Sequence, residues 1–233
     1  MLRKMIARPE KVRMYWREWF RQMNDIGIGS LGIITVISVF IGAVTCIQFA
    51  YNLEDSFVPM YYVGFVVRDS MILELAPTMS CLLLAGKVGS SMATELGTMR
   101  ISEQIDALEI MGINTTAYLV GPKILAALIV VPMLICISAF LGIYGGLIAG
   151  TSSGLLSQTE FIQGLQDSFV PFNVQVMLIK AATFAFIITS VSCFQGFYAT
   201  GGALEIGKAS TRAVVFSSIL IIISDYVIAW IVL

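Results

Sequence analysis

The sequence predicts an all-α polytopic membrane protein with five transmembrane helices, an N-terminal interfacial helix and one short cytoplasmic helix. Three observations carry that fold class. Hydrophobic residues make up 58% of the 233-residue chain and charged residues 12%, about half the charged share of a soluble domain. Mean hydropathy is +0.88. The apolar residues also fall in blocks of about 20 or more, which at 1.5 Å per residue cross the roughly 30 Å of bilayer hydrocarbon.

Residues 9–23 read as the interfacial helix. Val12, Tyr15, Trp16, Trp19, Phe20 and Met23 share one face, and Arg13, Arg17 and Arg21 lie along its neighbour. A soluble amphipathic helix packed on a partner has the same periodicity. Two tryptophans beside several arginines favour the membrane interface. The first span covers about 31–51. It is the first apolar run and long enough to cross by itself, so no cleavable signal is expected. Residues 52–61 form a loop containing Pro59. A second block, about 62–90, is interrupted by Arg68, Asp69, Glu74, Pro77 and Lys87, and Pro77 predicts a kink. Arg68 and Asp69, near the end of that block, read as interfacial.

Gly89–Asn114 is polar between two apolar blocks. In helical register Ile101, Ile105 and Leu108 share a face. Ser102 is placed to cap such a helix, Glu103 and Asp106 suit its N-terminal end, and Gly112 suits its end. A short acidic amphipathic helix between spans suits docking on a soluble partner. An ordinary solvated loop fits the periodicity equally well.

Residues 117–150 are too long for one straight span, and Pro122 and Pro132 are expected to divide them into an interfacial lead-in and a true span. Gly142, Gly145, Gly146 and Gly150 offer a smooth face for a neighbouring helix. A loop at 151–171, a fourth span at 172–198, a linker at 199–212 and a last span at 213–233 complete a single domain, 1–233.

Positive charge sets the orientation. Arg3, Lys4, Arg8, Lys11, Arg13, Arg17 and Arg21 precede the first span. Arg100, Lys208 and Arg212 lie in the second and fourth connections, with Lys87 and Lys123 at their edges, whereas 52–61 and 151–171 contain no Lys or Arg. The positive-inside rule puts the N-terminus in the cytoplasm and the C-terminus outside.

Absences narrow the chemistry. The chain has no histidine, so imidazole metal ligation and histidine acid–base catalysis are excluded. Cys46, Cys81, Cys136 and Cys193 are widely spaced inside apolar runs, which reads as four buried small hydrophobes and neither disulfides nor a metal site. A net charge of −1 gives no field to attract nucleic acid. Gly86-Lys87 lacks the glycine five residues earlier that a phosphate loop needs, because Cys81 stands there. The chain is therefore read as a transport subunit and no enzyme, without a cofactor of its own. Asn114-Thr115-Thr116 fits the glycosylation pattern by chance, since it falls on the cytoplasmic side.

Glu74, Lys180 and Asp225 sit inside apolar spans, each costing about 2.5–3.5 kcal/mol if it faced lipid alone. All three lie slightly outward of their spans' midpoints and can form one layer. A Lys180–Asp225 ion pair that glues two helices is the plainer reading, and lining a substrate path is the alternative. One lysine cannot neutralise two carboxylates, which points Glu74 toward that path.

LELAP at 73–77, AGKVGSSMATELGTMRISEQIDAL at 85–108 and MGINTTAYLVGPKILA at 111–126 resemble the MlaE (YrbE-type) permease family. The similarity extends through IGAVTCIQFAY at 41–51 and TRAVVFSSILIIISDYVIA at 211–229. The resemblance implies the membrane subunit of an MCE-associated ABC transporter in the bacterial inner membrane, moving phospholipid between that membrane and a periplasmic carrier. Implied partners are a second copy of the chain, a cytoplasmic ABC ATPase that binds the ATP, a periplasmic MCE-domain protein and a small STAS-type cytoplasmic subunit. It implies that residues 95–111 couple to the ATPase, with Glu103, Gln104, Asp106 and Leu108 at the contact. It also implies a lipid site including Glu74 and Leu75 of LELAP, and, by weaker correspondence, Lys180 and Asp225. Leu73 stands where many members have arginine and Ala76 where they have glycine, so a phosphate clamp at Leu73 is not implied. Two other readings stay open: an ion-coupled secondary transporter using Glu74, Lys180 and Asp225 as a relay, against which the lack of an internal repeat argues, and a structural subunit that anchors an ATPase.

Overall fold

The computed structural model describes residues 12–54 and 58–232. Residues 9–11 of the expected interfacial helix, the side chains of Val12, Arg13 and Tyr15, and Arg3, Lys4, Arg8 and Lys11 lie outside what it describes. Every regular element among the described residues is a helix.

Helix α1, Val12–Glu54, runs 43 residues without a break. The sequence reading separates an interfacial helix from the first span, and the structure corrects it. Buried positions Gln22, Ile26, Ser30 and Ile34 follow one another every fourth residue across the expected joint. No proline interrupts them, so one stripe continues through it.

A second helical stretch, Tyr62–Ile101, is also continuous. It comprises α2 (Tyr62–Ser70), a π-helical segment (Met71–Met79), α3 (Ser80–Leu84), a second π-helical segment (Ala85–Gly89) and α4 (Ser90–Ile101). Pro77 lies inside the first π-helical segment, where looser winding accommodates its missing N–H. Next come α5 (Gln104–Ile110), α6 (Thr115–Ser152), α7 (Gln158–Gln166), α8 (Pro171–Phe197) and α9 (Ala203–Val232).

Three boundaries differ from the sequence reading. Pro122 and Pro132 both sit inside α6, a single helix of 38 residues. Breaking a helix in apolar surroundings strands several backbone groups without water, which outweighs the one bond that each proline removes. The loop at 151–171 contains α7, whose capping box pairs Ser157 with Glu160. The fourth linker is shorter than 199–212, because α9 starts at Ala203. Five helical stretches are long and apolar enough to cross a membrane, in agreement with the five predicted spans.

Every long helical stretch except α9 contributes to two compact units. One takes the described residues up to Ser30, Cys81–Pro132 and Ala182 onward, and the other Leu31–Ser80 and Met133–Ala181. Within the second unit, α1 and α6 meet at Gly42 and Gly142, where a Cβ on Gly42 would fall on the Gly142 carbonyl. Beside them Ser38 and Ser80 each hydrogen-bond Ser138, at 2.7 and 2.9 Å, so the buried hydroxyls satisfy one another. Within the first unit, α4 packs on α9, and Ser210 Oγ donates to the Ser90 carbonyl at 3.3 Å. The four cysteines are free. Three are buried as expected. Cys136 is exposed, because it lies across α6 from the buried Ile135, Ser138 and Ala139.

Candidate functional site

The second unit holds a buried cation in apolar surroundings. Lys180, on α8, is fully buried and donates to Glu74 Oε1 at 2.7 Å and to the Leu73 carbonyl at 2.9 Å. Both acceptors lie in the π-helical segment that contains Pro77, where the backbone ladder is wound more loosely. Lys180 is therefore held by a carboxylate and by a backbone carbonyl. The Glu74 side chain stays 48% exposed although its partner is sealed, and Leu75 beside it is half-buried. The pair thus presents a partly neutralised carboxylate outward from an anchored ammonium. Asp225 is half-buried on α9, in the first unit. Within Lys180's own unit, the carboxylate that fixes the lysine is that of Glu74.

The first unit holds an elbow between α4 and α5. It divides the single helix expected over 95–111. Glu103 adopts φ 59°, in the left-handed region, and α5 starts at Gln104. Ser102 does not cap the following helix; its hydroxyl donates to the Thr98 carbonyl behind it at 2.7 Å. The hydroxyl finds an acceptor in its own preceding turn, a bond that competes with capping. Arg100 Nη1 and Asp106 Oδ1, 2.5 Å apart, brace the bend. Gly112, at φ 79°, ends α5 as its sequence position predicts. Its N–H reaches the Glu109 carbonyl and that of Ile113 reaches Leu108, the paired bonds of a Schellman cap.

Ile105 is buried beneath this elbow and Leu108 is half-buried. Glu103 and Gln104 are exposed, whereas Asp106 is engaged by Arg100. Ile110 and Met111 project at 88% and 66% exposure, the most exposed apolar pair on the connection. The sequence reading overlooks both. Their signal was two large apolar residues lying off the Ile101–Ile105–Leu108 face, immediately before a helix-ending glycine.

The family pattern described as Permease MlaE matches residues 19–231. The chain belongs to the MlaE permease family. A probable ABC transporter permease protein of Rickettsia bellii is 38% identical over 223 residues, covering 96% of this chain and 85% of that protein. The intermembrane phospholipid transport system permease protein MlaE of Haemophilus influenzae is 30% identical, covering 96% and 85%. The chloroplastic protein TRIGALACTOSYLDIACYLGLYCEROL 1 of Arabidopsis thaliana is 32% identical, covering 97% of this chain and 64% of its own. Membership in the MlaE permease family makes the chain a multi-pass membrane permease of the ABC-transporter kind, a transport component.

Two further ionic groups in this MlaE-family permease escaped the sequence reading. Arg68, expected at the interface, is 3% exposed. Its guanidinium donates to the Leu165 and Asp167 carbonyls at 2.7 and 2.8 Å, pairs with Asp69 at 2.8 Å and lies over the rings of Phe65 and Phe169. Arg68 thus satisfies carbonyls at the C-terminal end of α7, where orphan acceptors and the helix dipole both favour a cation. Finding it required knowing that 151–171 contains a helix; Ser157-x-x-Glu160 was the available sign. Lys123, placed in the sequence reading at a loop edge, is 2% exposed and ion-paired with Glu95.

Proposed function

We propose that this chain is the permease half of an inner-membrane ABC transporter that moves phospholipid, working as a homodimer with cytoplasmic ATPases and a periplasmic MCE-type carrier. Membership in the MlaE permease family and the phospholipid-transport name of the Haemophilus relative support the cargo and the assembly. The observation that carries the reading here is the half-exposed Glu74 carboxylate anchored by the buried Lys180. A lipid path needs apolar walls for acyl chains and a few fixed polar groups for a head group, and Glu74 with Leu75 offers both side by side. Lys180 fixes the carboxylate's position, and Asp225 is proposed as a further charge on the path.

The elbow is proposed as the contact with the ATPase. Its left-handed turn, its Arg100–Asp106 brace and its Schellman end make α5 a rigid unit carrying an exposed apolar tip. Glu103, Gln104 and Leu108 would flank that tip. A nucleotide-driven shift of α5 would then bias the transmembrane helices between two arrangements. The distribution of Lys and Arg supports a cytoplasmic N-terminus and elbow and a periplasmic C-terminus. A photoreactive amino acid at position 75 tests the path. It should crosslink to phospholipid in membranes, and Glu74→Ala should redistribute those crosslinks. An identical pattern in both proteins would return Glu74 to a structural role.

A further inference from the structure

Within the first unit, α1 and the helical stretch opposite it enclose a small cleft of about 90 Å³. Gln22 and Asp25 wall one side, and Lys87, Ser91 and Glu95 the other. Both signs of charge meet here. The Lys87 ammonium has no hydrogen-bond or ion-pair partner among the described residues, although its side chain reaches across to Gly29, where a Cβ would lie 3.8 Å from Nζ. Asp25 is held only loosely, at 3.9 Å from an exposed Arg21. Glu95 is fixed by the buried Lys123 but keeps 40% of its side chain accessible.

Depth along the helix says what kind of molecule reaches the cleft. Asp25 lies six residues from Trp19, about 9 Å along α1, and tryptophans gather at the head-group level of a bilayer. Past Asp25, α1 turns out the exposed apolar residues Ile28 and Leu31, at 73% and 43%. A polar cleft at the interface followed by an apolar flank matches an amphiphile, head first. The volume admits a head group and leaves the acyl chains outside.

We propose that this cleft binds a zwitterionic phospholipid head group, with the phosphate on Lys87 and Ser91 and the amine between Asp25 and Glu95. The inference rests on the lipid-permease reading above and adds a second head-group position, separate in sequence and unit from Glu74 and Lys180. The chemistry of a phosphate with a nearby amine is shared by phosphatidylethanolamine and soluble phosphoethanolamine, and the test separates them.

Photoreactive amino acids are placed at position 28, on the apolar flank beside the cleft, or at position 75 of the chain, reconstituted in vesicles of phosphatidylethanolamine and phosphatidylglycerol. Position 28 should crosslink to phosphatidylethanolamine. Lys87→Met should reduce that yield about tenfold, the worth of one charge-assisted hydrogen bond. Asp25→Asn should reduce it for phosphatidylethanolamine but not for phosphatidylglycerol, which has no amine. Crosslinks at position 75 should persist in both variants, which also reports that the protein is folded. Unchanged yields at position 28 in both variants would overturn the inference alone, as would the absence of any lipid crosslink there while position 75 still reacts. Displacement by millimolar phosphoethanolamine would overturn the lipid as the source. No lipid crosslink at either position would remove the lipid-permease reading itself.

Discussion

Arg68→Met removes the cation that ties α7 down while keeping an apolar side chain of similar length. Two bonds at 2.7 and 2.8 Å are lost. Hydrogen bonds from a charged donor are worth about 1.5–3 kcal/mol each. Leu165 and Asp167 are only half-buried, so water replaces part of that. A net loss of about 3 kcal/mol in local stability follows, roughly a hundredfold in the opening equilibrium. Hydrogen exchange of the amides at 161–167 reads that equilibrium directly and should accelerate by about two decades. Arg68→Lys should fall between, because one ammonium cannot span both carbonyls and Asp69 as a planar guanidinium does. Arg68→Met with Asp69→Asn should match Arg68→Met alone if the carbonyls, and not the Asp69 charge, are the cause. Unaltered exchange at 161–167 in Arg68→Met would show that the guanidinium does not hold α7 in place.

Other outcomes follow from the same packing. Gly42→Ala should lower the thermal midpoint in detergent by several degrees, because its Cβ would meet the Gly142 carbonyl, whereas Gly32→Ala, which meets nothing within 4 Å, should not. Glu95→Ala strands the buried Lys123 and should destabilise by about 3–5 kcal/mol; adding Lys123→Met should recover most of that in a double-mutant cycle read by thermal unfolding. Glu103→Gly should raise stability by about 1 kcal/mol in the same assay, because Glu103 sits in the left-handed region that glycine adopts freely.

Much of the fold was legible because a bilayer imposes length. Five apolar blocks became five spanning helices, and Gly112 ended α5 where its position suggested. What misled was reading Pro122 and Pro132 as breaks. Both lie inside α6, since in apolar surroundings a continuous ladder with gaps is better satisfied than two exposed ends. Of the site, Glu74 and Lys180 were legible as charges out of place, but periodicity could not say which carboxylate Lys180 meets; the carbonyl of Leu73 and the Glu74 side chain meet it within its unit. Periodicity alone missed Arg68, Lys123, Ile110 and Met111. Their roles depend on α7, on Glu95 across the fold and on a left-handed residue at Glu103, none of which a period reveals.

The elbow also changes which residue best tests the contact with the ATPase. Asp106 is bonded to Arg100, so altering it disturbs the bend as well as any contact. Ile110 and Met111 carry no such internal bond. ATP-dependent phospholipid transfer from proteoliposomes holding the permease and its ATPase, compared between the natural chain and the Ile110→Asp, Met111→Asp double variant, is the most direct measurement. The proposed mechanism predicts that the variant inserts and still crosslinks lipid at position 75, yet loses both the bound ATPase and the transfer. Transfer at the natural rate by the variant would contradict it.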